Sequence, residues 1–204
     1  TRVLRGSGLS SSAAFEVLTA AILDRLFCGG AMTPLQLAQI SQYAENVYFG
    51  KPCGLLDQLS CATGGVVAID FKDPDAPALR QVQADLKTMG YALCVVDSRA
   101  SHADLTADYA AITQEMCQVA ARFGRKVLGE VSYDRFRREL PAVRAACGDR
   151  AALRAIHFFW GDQRVELERQ ALERGDVETF LHHVRQSGRS SFMYLQNVSN
   201  YRES

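Results

Sequence analysis

The sequence predicts a helix-rich α+β fold, and three observations carry the prediction. Apolar residues recur at helical spacing over most of the chain, two short β-type runs interrupt them, and no repeat or low-complexity segment is present. From Ala13 to Phe27 the chain is apolar nearly all round, broken only by Glu16, Thr19, Asp24 and Arg25, and it stops at Gly29-Gly30. So little polar surface predicts a buried helix. Thr33-Pro34 reads as an N-cap followed by Pro at the first helical position, opening a helix to about Phe49 that ends at Gly50. A short third helix is expected to start near Cys53 or Gly54. Val66 to Phe71 reads as a strand, and Lys72 to Pro77, with two prolines and two aspartates, as a turn.

A second strand is expected over Tyr91 to Asp97, then a helix from about Asp104 to Phe123. Between Arg150 and Arg174, Leu153, Ile156, Trp160, Leu167 and Ala171 recur at helical spacing, with Arg and Glu on the other face, so a long amphipathic helix is predicted. Gly175-Asp176 breaks it, and Val177 to Gln186 forms the partner of a helical hairpin. A domain boundary is expected near residues 75 to 90.

The 204 residues carry 23 Lys+Arg against 23 Asp+Glu. Zero net charge argues against a protein built to grip nucleic acid or an anionic membrane surface. Apolar runs such as Tyr91 to Val96 are far shorter than the ~18 residues that span a bilayer. The six cysteines, Cys28, Cys53, Cys61, Cys94, Cys117 and Cys147, stand singly, with no Cys-x-x-Cys pair, and are expected to be buried free thiols of a cytoplasmic protein. Neighbouring His182 and His183 point about 100° apart on a helix, a poor metal pair, and are expected at the surface. The chain begins at Thr1 with almost no lead-in to its first motif, which predicts a segment of something longer.

That motif is Gly6-Ser7-Gly8-Leu9-Ser10-Ser11-Ser12-Ala13-Ala14, placed directly before the first helix. Glycines let backbone approach a ligand, first-turn amides lack intrahelical partners, and the helix dipole favours negative charge. Serine hydroxyls can donate to phosphate or ligate Mg²⁺. The plainer reading is that Ser10 to Ser12 cap the helix. A P-loop fails because Gly50-Lys51 is followed by Pro52. The dinucleotide fingerprint fails because Ser11 stands where a third glycine belongs, and a nucleophile elbow fails because Ser12 stands two residues after Ser10. A second cluster runs from Glu45 through Gly50-Lys51-Pro52-Cys53-Gly54 to Asp57-Gln58. It places one carboxylate at the end of a helix and another in the first turn of the next; each alone reads as a solvated or dipole-pairing acid.

In combination, Gly-x-Gly-Leu-Ser-Ser-Ser-Ala-Ala and, about thirty residues on, Ala-Glu-x-x-x-x-Gly-x-Pro-Cys-Gly-x-x-Asp-Gln closely resemble the galactokinase branch of the GHMP small-molecule kinases. Ser98 to Tyr109, Arg154 to His157 with Arg164, and Ala171-Leu172 with Gly175-Asp176 resemble later segments of that family more weakly. The resemblance implies a partial two-domain GHMP kinase fold. Residues 1–88 would be part of the N-terminal nucleotide-binding domain and 89–204 part of the C-terminal domain with its helical hairpin. It implies ATP and Mg²⁺ as cofactors and a monosaccharide acceptor, galactose or a related hexose, phosphorylated at its anomeric hydroxyl. Gly6, Gly8, Leu9, Ser10, Ser11 and Ser12 would hold the nucleotide phosphates, with Ser12 and Glu45 near Mg²⁺. Asp57 would contact the accepting hydroxyl as base or orienter, and Tyr109 would contact the sugar.

The chain departs from the family after Tyr109, where Ala110-Ala111 and the residues following lack its arginines. Gly161 stands where the family has glutamate, and Ser187-Gly188 replaces Ser-His. The family's N-terminal signature and C-terminal glycine-rich motif would lie before Thr1 and after Ser204. Two alternatives remain: a non-catalytic sugar and nucleotide sensor, and a decayed gene product. The unbroken Ser-Ser-Ser-Ala-Ala run favours an enzyme over the sensor.

Overall fold

The structure, a computed structural model, describes residues 8–50, 53–73, 75–96 and 106–198. They form α1 (Ser11–Phe27), α2 (Pro34–Tyr43) running into a π-helical turn (Ala44–Tyr48), α3 (Leu56–Thr63), β1 (Val66–Asp70), β2 (Ala78–Val82), α4 (Thr106–Arg122), α5 (Tyr133–Arg138), α6 (Leu140–Cys147), α7 (Asp149–Glu173) and α8 (Val177–Ser190). A second π-helical turn, Ser191–Leu195, follows α8. The mixture of many helices with a small sheet is the predicted class. Among the described residues no helix is long and apolar enough to cross a membrane.

The described residues divide into two bodies, one built on the chain up to Ile69 with Leu79–Val82, the other on most of the remainder. In the first, α1, α2 and α3 pack on one another around Ala13, Val17, Ala38 and Leu59. The predicted cap of α2 forms as a reciprocal pair: Gln36 N donates to Thr33 Oγ1 at 3.3 Å, and Thr33 N donates to Gln36 Oε1 at 2.8 Å. The Gly29-Gly30 stop after α1 also forms, with both glycines at positive φ and Gly30 N donating to Asp24 O at 3.1 Å. The expected burial of α1 does not hold. Ala13 and Val17 face α2 and α3, but Phe15 is 71% exposed and Phe27 79%. Neighbouring helices cover one side of α1 only, so its all-round apolar pattern exceeds the surface covered.

β1 and β2 form a two-stranded sheet, necessarily an antiparallel hairpin because seven residues are too few for a parallel crossover. Nothing in the sequence of Ala78–Val82 predicts a strand. It is poor in β-branched residues, and pairing with β1 makes it one. The strand expected at Tyr91 to Asp97 is absent: 91–96 has no regular structure, and Asp97 lies outside the described residues. The run is apolar enough for a strand but has no ladder partner there, leaving Leu93 85% exposed.

In the second body, α4, α6 and α7 enclose Val119, Phe123, Phe136, Val143, Ala155 and Phe159. Phe136 and Phe159 lie 5.0 Å apart between ring centroids. Of the residues predicted on the apolar face of α7, Ala171 is buried, but the register upstream differs. Ala151, Ala152, Ala155 and Phe159 face the core, while Leu153, Ile156 and Trp160 are half-buried and Leu167 is exposed. Small residues let α4 and α6 approach the α7 backbone closely, and the larger side chains flank that contact. Arg154 is buried in this layer, bonded to Glu115 Oε2 at 2.9 Å and Leu195 O at 3.2 Å. Gly175, at φ 71°, ends α7 as predicted, and Asp176 caps α8 through Thr179 N at 3.1 Å.

All six cysteines are free, as expected, but none is buried: Cys28, Cys61, Cys94 and Cys117 are exposed and Cys53 and Cys147 half-buried. Cys28 follows Leu26 and Phe27, which face outward with it, whereas Cys61 and Cys117 lie on the outer sides of helices whose Leu59 and Val119 are buried. His182 is exposed and His183 half-buried. Among the described residues no three His, Cys, Asp or Glu side chains cluster as metal ligands.

Candidate functional site

Gly6 and Ser7 lie outside the described residues. From Gly8 the loop is exposed and turns into α1 through two left-handed residues, Gly8 at φ 73° and Ser10 at φ 51°. A left-handed conformation at a residue with a side chain costs on the order of 1 kcal/mol or more. Ser10 is the N-cap of α1, yet its side chain makes no capping hydrogen bond. The capping reading of the serines therefore fails at the residue placed to do it, and the first-turn amides of Ser11, Ser12 and Ala13 remain a positive helix end.

The end of α2 continues as a π-helical turn that carries Glu45, with Phe49 N donating to Ala44 O at 3.3 Å. Cys53 N donates to Asn46 Oδ1 at 2.7 Å and Gln42 Nε2 to Cys53 O at 3.1 Å, which ties the start of the α3 segment back to α2. Glu45 is 4% exposed and accepts from Gln58 Nε2 at 2.8 Å. Gln58 Nε2 also lies 3.4 Å from Glu16 Oε2 and 3.5 Å from Cys53 Sγ. Burial first, then the hydrogen bond to Glu45, push the Cys53 thiol up to about 11, so it stays protonated beside the carboxylate.

α1 and the end of α2 leave a cleft of about 580 Å³ between them, lined mostly by apolar side chains, among them Phe15, Leu23, Ile40 and Phe49, with Ser12, Glu16 and Glu45 among its few polar groups. Two predicted residues far apart in sequence, Ser12 and Glu45, thus line one cleft. Asp57 sits in the first turn of α3, as expected, and is exposed. Its carboxylate, after burial, helps to push the Cys61 thiol upward. Asp57 does not line the cleft; its neighbour Gln58 reaches Glu45 instead. Tyr109, on α4, belongs to the second body and is 51% exposed, followed by exposed Ala110.

Sequence reasoning missed Glu16 and Gln58. Glu16 lies four residues after Ser12, hence on the same helix face, and Gln58 is a polar residue on the apolar face shared with Leu55 and Leu59. Both signals were present in the spacing. In the second body His157 Nδ1 meets Ser190 Oγ at 2.9 Å, and burial and then Arg164 hold its imidazole below the ordinary value.

Residues 1–65 match the family described as GHMP kinases N terminal domain. The chain is 36% identical over 177 residues to the galactokinase of Streptomyces coelicolor, covering 84% of this chain and 44% of that protein. It is 33% identical over 174 residues to the galactokinase of Thermotoga maritima, covering 85% and 47%. Among solved structures, Lactococcus lactis galactokinase complexed with galactose superposes with a TM-score of 0.69 at 27% identity, covering 94% of this chain and 49% of that one. The chain spans about half the length of these relatives.

Proposed function

From this chain's resemblance to the galactokinase branch of the GHMP kinases, which the family match and the relatives bear out, we propose that the protein is a sugar kinase. It transfers the γ-phosphoryl group of ATP to the anomeric hydroxyl of a monosaccharide, giving a sugar 1-phosphate and ADP. The observation that carries the reading is the shared cleft of about 580 Å³, which Ser12 at the head of α1 and Glu45 at the end of α2 both line.

The amides at the head of α1, with Gly8, Leu9, Ser10, Ser11 and Ser12, hold the nucleotide phosphates; Gly6 is assigned with them by the resemblance. Ser12 and Glu45 supply a hydroxyl and a carboxylate oxygen, the hard donors that suit Mg²⁺, which uses few protein ligands alongside phosphate and water. A bound Mg²⁺ neutralises charge on the transferred phosphoryl group. Asp57 orients the accepting hydroxyl and takes its proton as that oxygen bonds to the γ-phosphorus and the bond to the β–γ bridging oxygen breaks. Tyr109 contacts the sugar. The acceptor is a hexose, galactose being one candidate beside its amino and N-acetyl derivatives, because α4 carries Ala110 and Ala111 after Tyr109 in place of arginines. Residues 1–88 are assigned to the N-terminal domain and 89–204 to the C-terminal one, and the reaction to the cytoplasm.

ADP release by the protein, assayed against a panel of hexoses with ATP and Mg²⁺, tests the reading. Sugar-dependent release supports it; a marked preference for galactose sinks the substrate argument from α4, and no release on any sugar sinks the kinase.

A further inference from the structure

Gln58 is 1% exposed and stands between Leu55 and Leu59 on the inward side of α3, where a leucine or methionine would fill the same volume. Its amide is instead shared among groups from three segments. Nε2 lies 2.8 Å from Glu45 Oε2 at the end of α2, 3.4 Å from Glu16 Oε2 on α1 and 3.5 Å from Cys53 Sγ. An amide nitrogen has two hydrogens, and two carboxylates converge on them. The opposite amide orientation would turn Oε1 toward both carboxylates, so the orientation is set by charge. Oε1 is left buried without a partner, which marks Nε2 as the end the fold requires.

We propose that Gln58 is a positioning residue: its amide holds the Glu45 and Glu16 carboxylates together at the wall of the cleft, so that Glu45 meets a metal–nucleotide complex in one orientation. The proposal rests on the kinase reading for what the cleft receives. A ligand carboxylate works only when its own rotamer is locked by packing and by a further hydrogen bond, and Gln58 supplies the bond from a fully packed position. The same anchor serves Asp57. Successive helical residues point about 100° apart, so seating Gln58 inward fixes the first turn of α3 from which Asp57 projects outward.

Two variants of the protein, Gln58→Met and Gln58→Glu, test this. Methionine keeps the volume and removes the donor; glutamate keeps the length and replaces the donor with a carboxyl. The probes are Mn²⁺ with ADP, followed by electron paramagnetic resonance, and the Mg²⁺ activation constant of sugar-dependent turnover. Both variants are expected to weaken Mn²⁺–ADP binding and raise the Mg²⁺ activation constant by about tenfold, with a changed Mn²⁺ line shape and a sugar KM within about twofold. Should methionine collapse the fold, glutamate gives the same readings. Unchanged metal constants in a folded variant, with only a lower thermal midpoint, would overturn the proposal and leave Gln58 a core residue. Absence of sugar turnover in the natural protein, with Mn²⁺–ADP still bound and weakened by either variant, would sink the kinase and keep the positioning role. Absence of Mn²⁺–ADP binding in the natural protein would sink both.

Discussion

Gly161 stands against Arg164 on α7: a Cβ at 161 would lie 4.0 Å from Arg164 Nη2, while Nε and Nη2 of that guanidinium are buried without hydrogen-bond partners. A buried charged donor without an acceptor is costly, and a glycine within a helix adds its own penalty. The space beside the guanidinium is open on the side from which an (i, i+3) side chain would come.

Gly161→Glu is therefore expected to stabilise the second body by about 1–2 kcal/mol, combining helix propensity with a partner for Arg164. Gly161→Ala isolates propensity and should give less, at most about 1 kcal/mol. Urea midpoints of the two variants decide it; a glutamate no better than alanine means that Arg164 gains nothing from a carboxylate at that position.

The second expectation concerns acid. Burial and then Arg164 depress the His157 imidazole from its ordinary 6.5. The unfolded chain therefore binds a proton more readily than the fold does in the window just below that value. Stability is full above pH 6.5 and declines as pH falls through it toward the lower folded value. His157→Asn, which keeps a hydrogen-bonding group toward Ser190 Oγ, should flatten that decline. Midpoints between pH 7.5 and 5 measure it, and an equal acid slope in the variant would exclude His157 as the source.

Alkylation reads the thiols. At pH 8 a thiol pushed up to about 11 holds on the order of a thousandth of its population as thiolate. Cys53 should therefore react with iodoacetamide far more slowly than exposed Cys28 and Cys117. Mass spectrometry of timed samples gives the order, and early modification of Cys53 would contradict the burial and the Glu45 bond that hold it protonated.

Asp57→Asn keeps size and hydrogen-bonding reach and removes charge and basicity. On the kinase reading turnover should fall by about 10²-fold or more while nucleotide affinity changes little. Near-normal turnover on the best sugar would return Asp57 to the role of an exposed carboxylate at the head of α3.

What was legible in the sequence is what depends on residues a few positions apart. The Thr33 cap with Pro34 after it, the glycine stop after α1, Asp57 in the first turn of α3 and the Asp176 start of α8 are each complete within one turn of chain. Such signals survive in any packing. Burial, pairing and convergence depend on segments that arrive from elsewhere, and there local pattern misled. α1 is apolar all round, yet only its Ala13–Val17 side meets α2 and α3. Tyr91 to Val96 is hydrophobic enough for a strand but lacks a ladder partner among the described residues, whereas plain Ala78–Val82 has β1 beside it. α7 turns its alanines inward because close backbone approach, not side-chain size, sets that contact. In the cleft, local pattern is enough to place Ser12 at the head of one helix and Glu45 near the end of another. That the two line one cleft, and that Gln58, buried between Leu55 and Leu59, reaches from α3 to the Glu45 carboxylate, depends on packing, since a hydrogen bond across 13 residues of chain forms only once the helices have packed.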